Sequence, residues 1–243
     1  MQRSVRSGMV ARRKMVHFWS RLRCSPSPAG GPAYERSWDH LARHDALNAI
    51  CDGADAARFE AYGRAHAERL REVIRPDWRV LDFGCGIGRL ETYLAPHCRA
   101  IDAVDVSAEM LAQARRRLAG VDNVRLHHVP GPDLALFAAG SFDFALAFLV
   151  FHHIAKQDTY LILREFGRVL RPGGLFFANF PNLLVPRYTE IFEDYARRRE
   201  RAAHRVRPWT PEEVRWLLGR LGVRMVKEQV SEEIEVLGTF ARL

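Results

Sequence analysis

The 243-residue chain reads as an α/β protein: a doubly wound, seven-stranded, mostly parallel sheet, with an N-terminal helical cap and a helical insertion before the last helix. Three features predict this. From Arg79 onward short apolar runs alternate with helix-period segments, which implies parallel strands with helices on both faces. The first run ends in three closely spaced glycines, a strand-to-helix turn that lets backbone approach closely. The last two apolar runs have no helix between them, so they read as a hairpin-like pair.

The elements follow in order. Ser25-Pro-Ser-Pro-Ala-Gly-Gly-Pro32 is a turn-rich linker, and residues 1–33 are expected to form a basic, disordered tail. Residues 34–243 form the folded domain, opening with a helical cap over 34–75. There Trp38, Leu41, Ala42, Leu47 and Ile50 recur at near-helical spacing, and a second helix runs from Ala56 to Val73. Strands are expected at Arg79–Phe83, Ala100–Val106, Val124–Val129, Phe142–Phe148, Leu175–Asn179, Val223–Val230 and Leu237–Leu243. Between them lie helices over Leu90–Leu94, after the N-cap Ser107, over Asp158–Leu170, and after Thr210, whose Thr-Pro-Glu-Glu start suits a capping box. Residues 182–207 interrupt the alternation with an Arg-rich, helical stretch, placed where a substrate lid would sit.

Hydrophobic residues make up 48% and charged residues 27%, a balance that excludes wholesale disorder. The net charge of +8 is unevenly placed: no acidic residue precedes Glu35, and a second basic cluster runs through Arg197, Arg198, Arg199, Arg201, Arg205 and Arg207. Each cluster is either a solvated face or a site for phosphate, nucleic acid or lipid headgroups. Lysine is confined to Lys14, Lys156 and Lys227, and with the many alanines this suits a GC-rich bacterial genome. Cys24, Cys51, Cys85 and Cys98 have no C-x-x-C spacing, so they read as reduced thiols of a cytoplasmic protein. The longest apolar run, Ala145 to Phe151, falls short of the roughly 18 residues that span a bilayer, so no transmembrane segment is expected.

The strongest chemical signal is Val80-Leu-Asp-Phe-Gly-Cys-Gly-Ile-Gly88. A dinucleotide fingerprint, G-x-G-x-x-G, would put its third glycine at Arg89. Here the spacing is G-x-G-x-G, with Asp82 just before it. A pyrophosphate favours bare amides, whereas an acid beside the loop suits a cationic ligand end such as the ammonium of a methionine moiety. Asp105 closes the second strand, where ligands of such sheets sit, and a carboxylate there accepts both hydroxyl hydrogens of a ribose. The plainer reading of Asp105 is a charge at the start of the next helix.

VLDFGCGIGRL, AVDVSAEML, GPDL with SFDFALAFLVFHHI, and REFGRVLRPGGLFFANFPN together resemble the successive motifs of class I S-adenosylmethionine-dependent methyltransferases, most of all bacterial small-molecule enzymes of type 11 or 12. The resemblance runs from about Trp38 to Leu243 and implies a Rossmann-like fold with S-adenosylmethionine as cofactor. It implies that Gly84, Gly86 and Gly88 surround the methionine portion with Asp82 near its ammonium. Asp105 would hold the ribose, Val106 and Met110 would flank the adenine, and Asp133 with Leu134 would read its edge. Phe148 and Leu149 would line the channel near the methyl group. One departure stands out: relatives carry an acid a few positions before Leu134, whereas Pro130-Gly-Pro-Asp-Leu134 leaves Asp133 as the only carboxylate.

His152 and His153 follow the fourth strand at the mouth of the expected site, as a base or as structural hydrogen-bonding residues; no catalytic base is assigned, and neither has metal-cluster spacing. Tyr188, Phe192, Tyr195 and Trp209 in and beside the insertion would wall a pocket, or belong to a surface helix. Methyl transfer is an in-line displacement on an activated carbon, so the protein mainly contributes alignment and a dry cavity. The expected acceptor is a small molecule. Nucleic acid is not expected, because the exit Phe148-Leu-Val-Phe151 lacks the Asn/Asp-Pro-Pro-aromatic run of exocyclic-amine methylation and a cysteine for cytosine C5. The alternatives are a nucleic-acid or protein methyltransferase and a non-catalytic, cofactor-binding subunit.

Overall fold

A computed structural model describes residues 31–51 and 55–241. The chain forms α1 (Gly31–Ile50), α2 (Ala56–Arg71), β1 (Arg79–Phe83), α3 (Glu91–Leu94), β2 (Ala100–Asp105), α4 (Ala108–Arg117), β3 (Val124–His128) and β4 (Phe142–Ala147). It continues through α5 (Lys156–Val169), β5 (Leu170–Pro181), α6 (Pro186–Arg198), α7 (Pro211–Arg220), β6 (Val223–Val230) and β7 (Glu233–Phe240). The seven strands lie in the order β3-β2-β1-β4-β5-β7-β6. Strands β1 to β5 pair parallel, and β7 inserts antiparallel between β5 and β6. Chain order reverses between β1 and β4, the switch point at whose carboxyl edge such sheets bind ligands.

Period-two alternation sends successive strand residues to opposite faces. Leu81, Ala145, Phe176 and Val236 join Ile162, Phe166, Val214 and Leu217 of α5 and α7 in one core. Val80, Ile101, Phe144 and Leu146 join Leu70 of α2, Leu94 of α3 and Leu111 of α4 on the other side. A third cluster is the cap: Leu41, Ala46 and Ala49 of α1 meet Phe59 of α2, Ile87 of the glycine loop and Met110 of α4. Helix α1 kinks at Asp45, whose backbone is extended and whose carboxylate accepts the Asn48 amide at 3.2 Å, restarting the helix as an internal cap.

The caps read from sequence form as expected. Ser107 Oγ accepts the Met110 amide at 3.0 Å, and Thr210 and Glu213 close a reciprocal capping box. Several boundaries move, these four among them. The first helix starts at Gly31, inside the span expected as tail; residues 1–30, with the rest of that expectation, lie outside the described residues. Strand β2 stops at Asp105, one residue early. Strand β5 starts at Leu170, because the Arg-Pro-Gly-Gly stretch continues in the sheet, with Gly173 at φ 77°. Strand β7 begins at Glu233, four residues before the expected Leu237: Ile234 and Val236 are buried while Glu233 and Glu235 face the other way. No described helix is long and apolar enough to cross a membrane.

Phe166 is fully buried and packs its ring against Phe83, 6.1 Å away, and Phe176, 6.4 Å away, tying α5 to β1 and β5. Phe166→Ala is expected to destabilise the fold by about 3–5 kcal/mol. Urea unfolding checks this; a loss under about 1 kcal/mol would mean that the sheet is held elsewhere.

Candidate cofactor and acceptor site

The glycine loop is pinned by backbone. Gly84 N–H donates to Val104 O at 2.7 Å, and Gly86 N–H donates to Asp105 Oδ2 at 2.8 Å. The other carboxylate oxygen of Asp105 accepts Ser107 N–H at 2.8 Å, so one side chain ties the loop to the start of α4. Gly84 (φ 82°) and Gly86 (φ 57°) are left-handed, and both line a cavity at the carboxyl ends of β1, β2 and β4. A Cβ on Gly84 would stand 2.5 Å from Val150 Cγ2. Gly88 does something else. Its missing Cβ faces Leu118 Cδ1 at 2.9 Å and Ala114, so it lets α4 pack against the loop and does not line the cavity.

The cavity spans about 1110 Å³ counting its open mouth, and its lining runs from the glycine loop to Tyr34 and Asp158. One end is unusually acidic. Asp82 and Asp105 line it, and Glu91, fully buried, stands behind Asp82. Burial, then the adjacent Glu91 carboxyl, holds Asp82 well above the usual carboxylate range. Burial pushes Asp105 up to about 6, although the Ser107 and Gly86 amides pull it down. The cationic side chain on the lining is Arg89, buried to 4% exposure. It donates to His66 Nδ1 at 2.8 Å, and His66 stacks on Phe148 with ring centroids 4.4 Å apart. Burial, then the Arg89 charge, lowers His66 to about 4, so it stays a neutral acceptor for that guanidinium.

The other end is built from distant segments. Tyr34 of α1 donates to Asp158 Oδ2 at 3.0 Å and accepts Ala155 N–H at 2.9 Å, which fixes α1 to the start of α5. Trp38 meets His153 edge-on at 5.0 Å. His153 Nδ1 lies 2.6 Å from the His204 carbonyl oxygen; a carbonyl only accepts, so Nδ1 carries the hydrogen and Nε2 is the basic nitrogen. Burial, then neighbouring His152, holds His153 well below its ordinary value, so it is neutral near pH 7. Between the two ends Leu149 adopts a left-handed backbone (φ 62°), its amide donating to the buried Asn179 Oδ1 at 2.7 Å.

The cavity therefore gathers Asp82, Gly84, Gly86, Asp105, Val106, Met110, Phe148 and Leu149, as expected from sequence, with His153. It excludes Asp133 and Leu134. Asp133 is exposed and turns back to accept the Ala135 amide at 2.7 Å, while Leu134 is fully buried in the core and its amide points to Glu165. Val129, Pro130, Gly131 and Pro132 form the wall instead. The lid expectation also changes. No residue of 182–207 lines the cavity: Tyr188 turns to Glu233 and His152, and Phe192 is exposed. The return leg braces the site from behind, through His204 on His153 and through Arg207, whose amide donates to the His152 carbonyl at 2.7 Å. Tyr34, Trp38, Arg89, Glu91 and Asp158 received no site role from sequence; Arg89 and Glu91 directly follow the glycine loop, the one signal that would have suggested them.

Comparison with known proteins agrees with this geometry. A family model described as "Methyltransferase domain" matches residues 80–174. The chain is 31% identical over 147 residues to a ubiquinone biosynthesis O-methyltransferase of Xanthomonas oryzae pv. oryzae, covering 51% of this chain and 59% of that one. It is 32% identical over 147 residues to a malonyl-(acyl-carrier protein) O-methyltransferase of Enterobacter lignolyticus, covering 59% and 49%. The chain thus spans about three fifths or less of the length of these curated relatives. In fold it resembles magnesium protoporphyrin IX methyltransferase of Synechocystis, solved with bound SAH, at TM-score 0.66 and 15% identity, covering 85% of this chain and 98% of that one. Residues 80–174 thus match a methyltransferase domain, and the motifs and strand order resemble those of class I S-adenosylmethionine-dependent methyltransferases.

Proposed function

We propose that the protein transfers a methyl group from S-adenosylmethionine to a small-molecule acceptor bound at the Tyr34–His153–Asp158 end of the cavity. The observation that carries this reading is one cavity with two unlike ends: an acidic glycine cradle, and a chamber with a neutral imidazole. In the cradle, Gly84 and Gly86 leave room beside the backbone, Asp82 faces the ammonium, and Arg89 takes the methionine carboxylate. Asp105 holds the ribose hydroxyls, and Val106 and Met110 flank the base. Gly131 presents an N–H to the adenine edge, since neighbouring Pro130 and Pro132 have none. When bound, the sulfonium supplies an activated methyl group and a neutral thioether leaving group.

The chain's own contribution is alignment, a dry wall and a proton acceptor. Phe148 and Leu149 close the passage between the ends, and Trp38, Ile154 and Ile162 wall the acceptor. His153 Nε2 takes the proton of a hydroxyl or amine as it attacks. Asp158, held by Tyr34, orients the acceptor by hydrogen bonding. With Asp82, Asp105 and Asp158 on the lining against Arg89, the chamber suits a neutral or cationic acceptor better than an anionic one. The buried, unpaired Cys51, Cys85 and Cys98 suit a reducing cytoplasm.

Calorimetric titration with S-adenosylmethionine, then transfer of a labelled methyl group into metabolite extracts, tests the whole reading; no binding ends it. Gly84→Ala is expected to weaken cofactor binding at least tenfold, because the new Cβ meets Val150 and the left-handed backbone costs roughly 1–2 kcal/mol. Adding Val150→Ala should restore part of that loss.

Once an acceptor is in hand, His153→Ala should lower kcat about 10²–10⁴-fold with little change in KM. A rise in KM with kcat unchanged would make the imidazole a wall. Asp105 gives a pH signature. Its free-state value of about 6 lies above that of an ordinary carboxyl, and ribose hydroxyls prefer its ionised form. Affinity for 5′-methylthioadenosine should hold above that value and fall as pH drops below it, by up to about tenfold per pH unit. Affinity that is flat from about pH 7.5 to about pH 5 would remove Asp105 from the ribose.

A further inference from the structure

Glu91 is a buried acid that the reaction above does not use. It is 0% exposed, neither of its carboxyl oxygens has a well-aimed hydrogen bond, and the group it faces is the Asp82 carboxyl. Asp82 is itself 3% exposed, and it lines the cavity while Glu91 stands one layer behind. Neither acid forms an ion pair among the described residues: Arg89, the adjacent cation, directs its hydrogen bond to His66. Two fully buried carboxylates in contact, with a single guanidinium nearby and an ion pair to neither, do not both ionise, so such a pair retains a proton between them.

We propose that Asp82 and Glu91 share one proton while the cradle holds no cation, and that arrival of an α-ammonium beside Asp82 expels it. Cofactor uptake is thereby coupled to proton release, and Glu91 acts as a positioning residue through Asp82. This rests on the cofactor reading above. The charge balance closes: one ammonium enters, one proton leaves to solvent, and the hollow keeps its net charge. The other groups facing the pair are the Asp105 carboxyl from β2, the Cys85 thiol and the Arg89 guanidinium from the loop. Burial pushes the Cys85 thiol up, so it stays protonated, and Arg89 remains charged whether or not ligand is present. Asp105 is the remaining group able to contribute a proton, and it does so through the ribose.

That separation makes the coupling measurable. S-adenosylmethionine and 5′-methylthioadenosine share the ribose and base, but the second lacks the amino-acid tail and the sulfonium charge; S-adenosylhomocysteine, with the tail and a neutral thioether, is the control that assigns the difference to the α-ammonium. Each is titrated calorimetrically into the full-length protein at about pH 6, where an α-amino group is still protonated, in buffers of differing ionisation enthalpy. S-adenosylmethionine should release about one proton more than methylthioadenosine. In Glu91→Gln the amide donates to Asp82 and holds it ionised, so the difference should collapse towards zero and the acid limb of S-adenosylmethionine affinity should shrink to the one methylthioadenosine shows through Asp105. Equal proton counts for the two ligands in the wild-type protein overturn the coupling while leaving the cofactor reading intact. Failure of both ligands to bind overturns the cofactor reading itself. Should Glu91→Gln fail to fold, the wild-type comparison of the two ligands still decides. Should the variant fold and keep the full difference, Asp82 acts without Glu91.

Discussion

The constraint on which the rest of the structure depends is the burial of three carboxyl groups, Asp82 and Asp105 at the ends of two adjacent strands and Glu91 at the start of α3. Water is largely excluded there, so each charge must be met by a hydrogen bond, a cation or a proton. Asp105 is met by two backbone amides, one from the glycine loop and one from the start of α4. Asp82 and Glu91 are met by neither; Arg89 lies near both but gives its hydrogen bond to His66. Under the proposed reading, the ammonium of the cofactor is the charge this hollow accepts. The scaffold explains why these acids can be kept there: apolar layers on both faces of the sheet anchor the strands, while the loop between them is held by main-chain hydrogen bonds.

The acceptor end obeys a different logic. Its polar groups come from α1, the turn after β4 and the first turn of α5, joined by the Tyr34–Asp158 and Tyr34–Ala155 hydrogen bonds. Behind them the return leg of the insertion supplies His204, whose carbonyl sets the tautomer of His153 and whose ring meets Ser37 Oγ at 2.6 Å. Burial lowers His204 to about 4, so it remains neutral and adds no charge behind the base. The insertion therefore governs the site by supporting the imidazole, while its helix α6 faces away. A change in that leg would reach the His152–His153 turn through the His204 carbonyl and through Arg207.

What could be read from sequence was what is local. The strand Arg79–Phe83, the glycines after it, the acid ending β2 and the Ser107 cap lie within one continuous stretch, and spacing alone carries their geometry. Gly88 was misplaced because a glycine needed for helix packing has the same letter as one needed for a ligand; only the position of Leu118 separates the two. Asp133 was misplaced because an acid near the expected position can also cap its own turn, and its neighbouring prolines leave it a path outward. The insertion was read by composition, and aromatic and arginine content says nothing about which way a helix faces. Asp158 lies over a hundred residues from Tyr34 and Trp38 along the chain, so no window of sequence could bring them together.

The two ends are joined by one backbone feature. Leu149 is left-handed, a conformation costing a side-chain-bearing residue roughly 1–2 kcal/mol, and the buried Asn179 amide oxygen secures it from β5. The turn it makes carries Val150 over the glycine loop, where the valine methyl occupies the space that any side chain at position 84 would need. Gly84 and Leu149 are thus two halves of a single arrangement: the glycine is bare because the turn after β4 leans on it, and the turn leans because Leu149 is strained. Strain placed there holds the wall of the passage at a fixed distance from the cradle. In-line transfer needs that distance to be fixed within a fraction of an ångström. A relaxed backbone at position 149 would let Val150 withdraw from the glycine loop it now leans on.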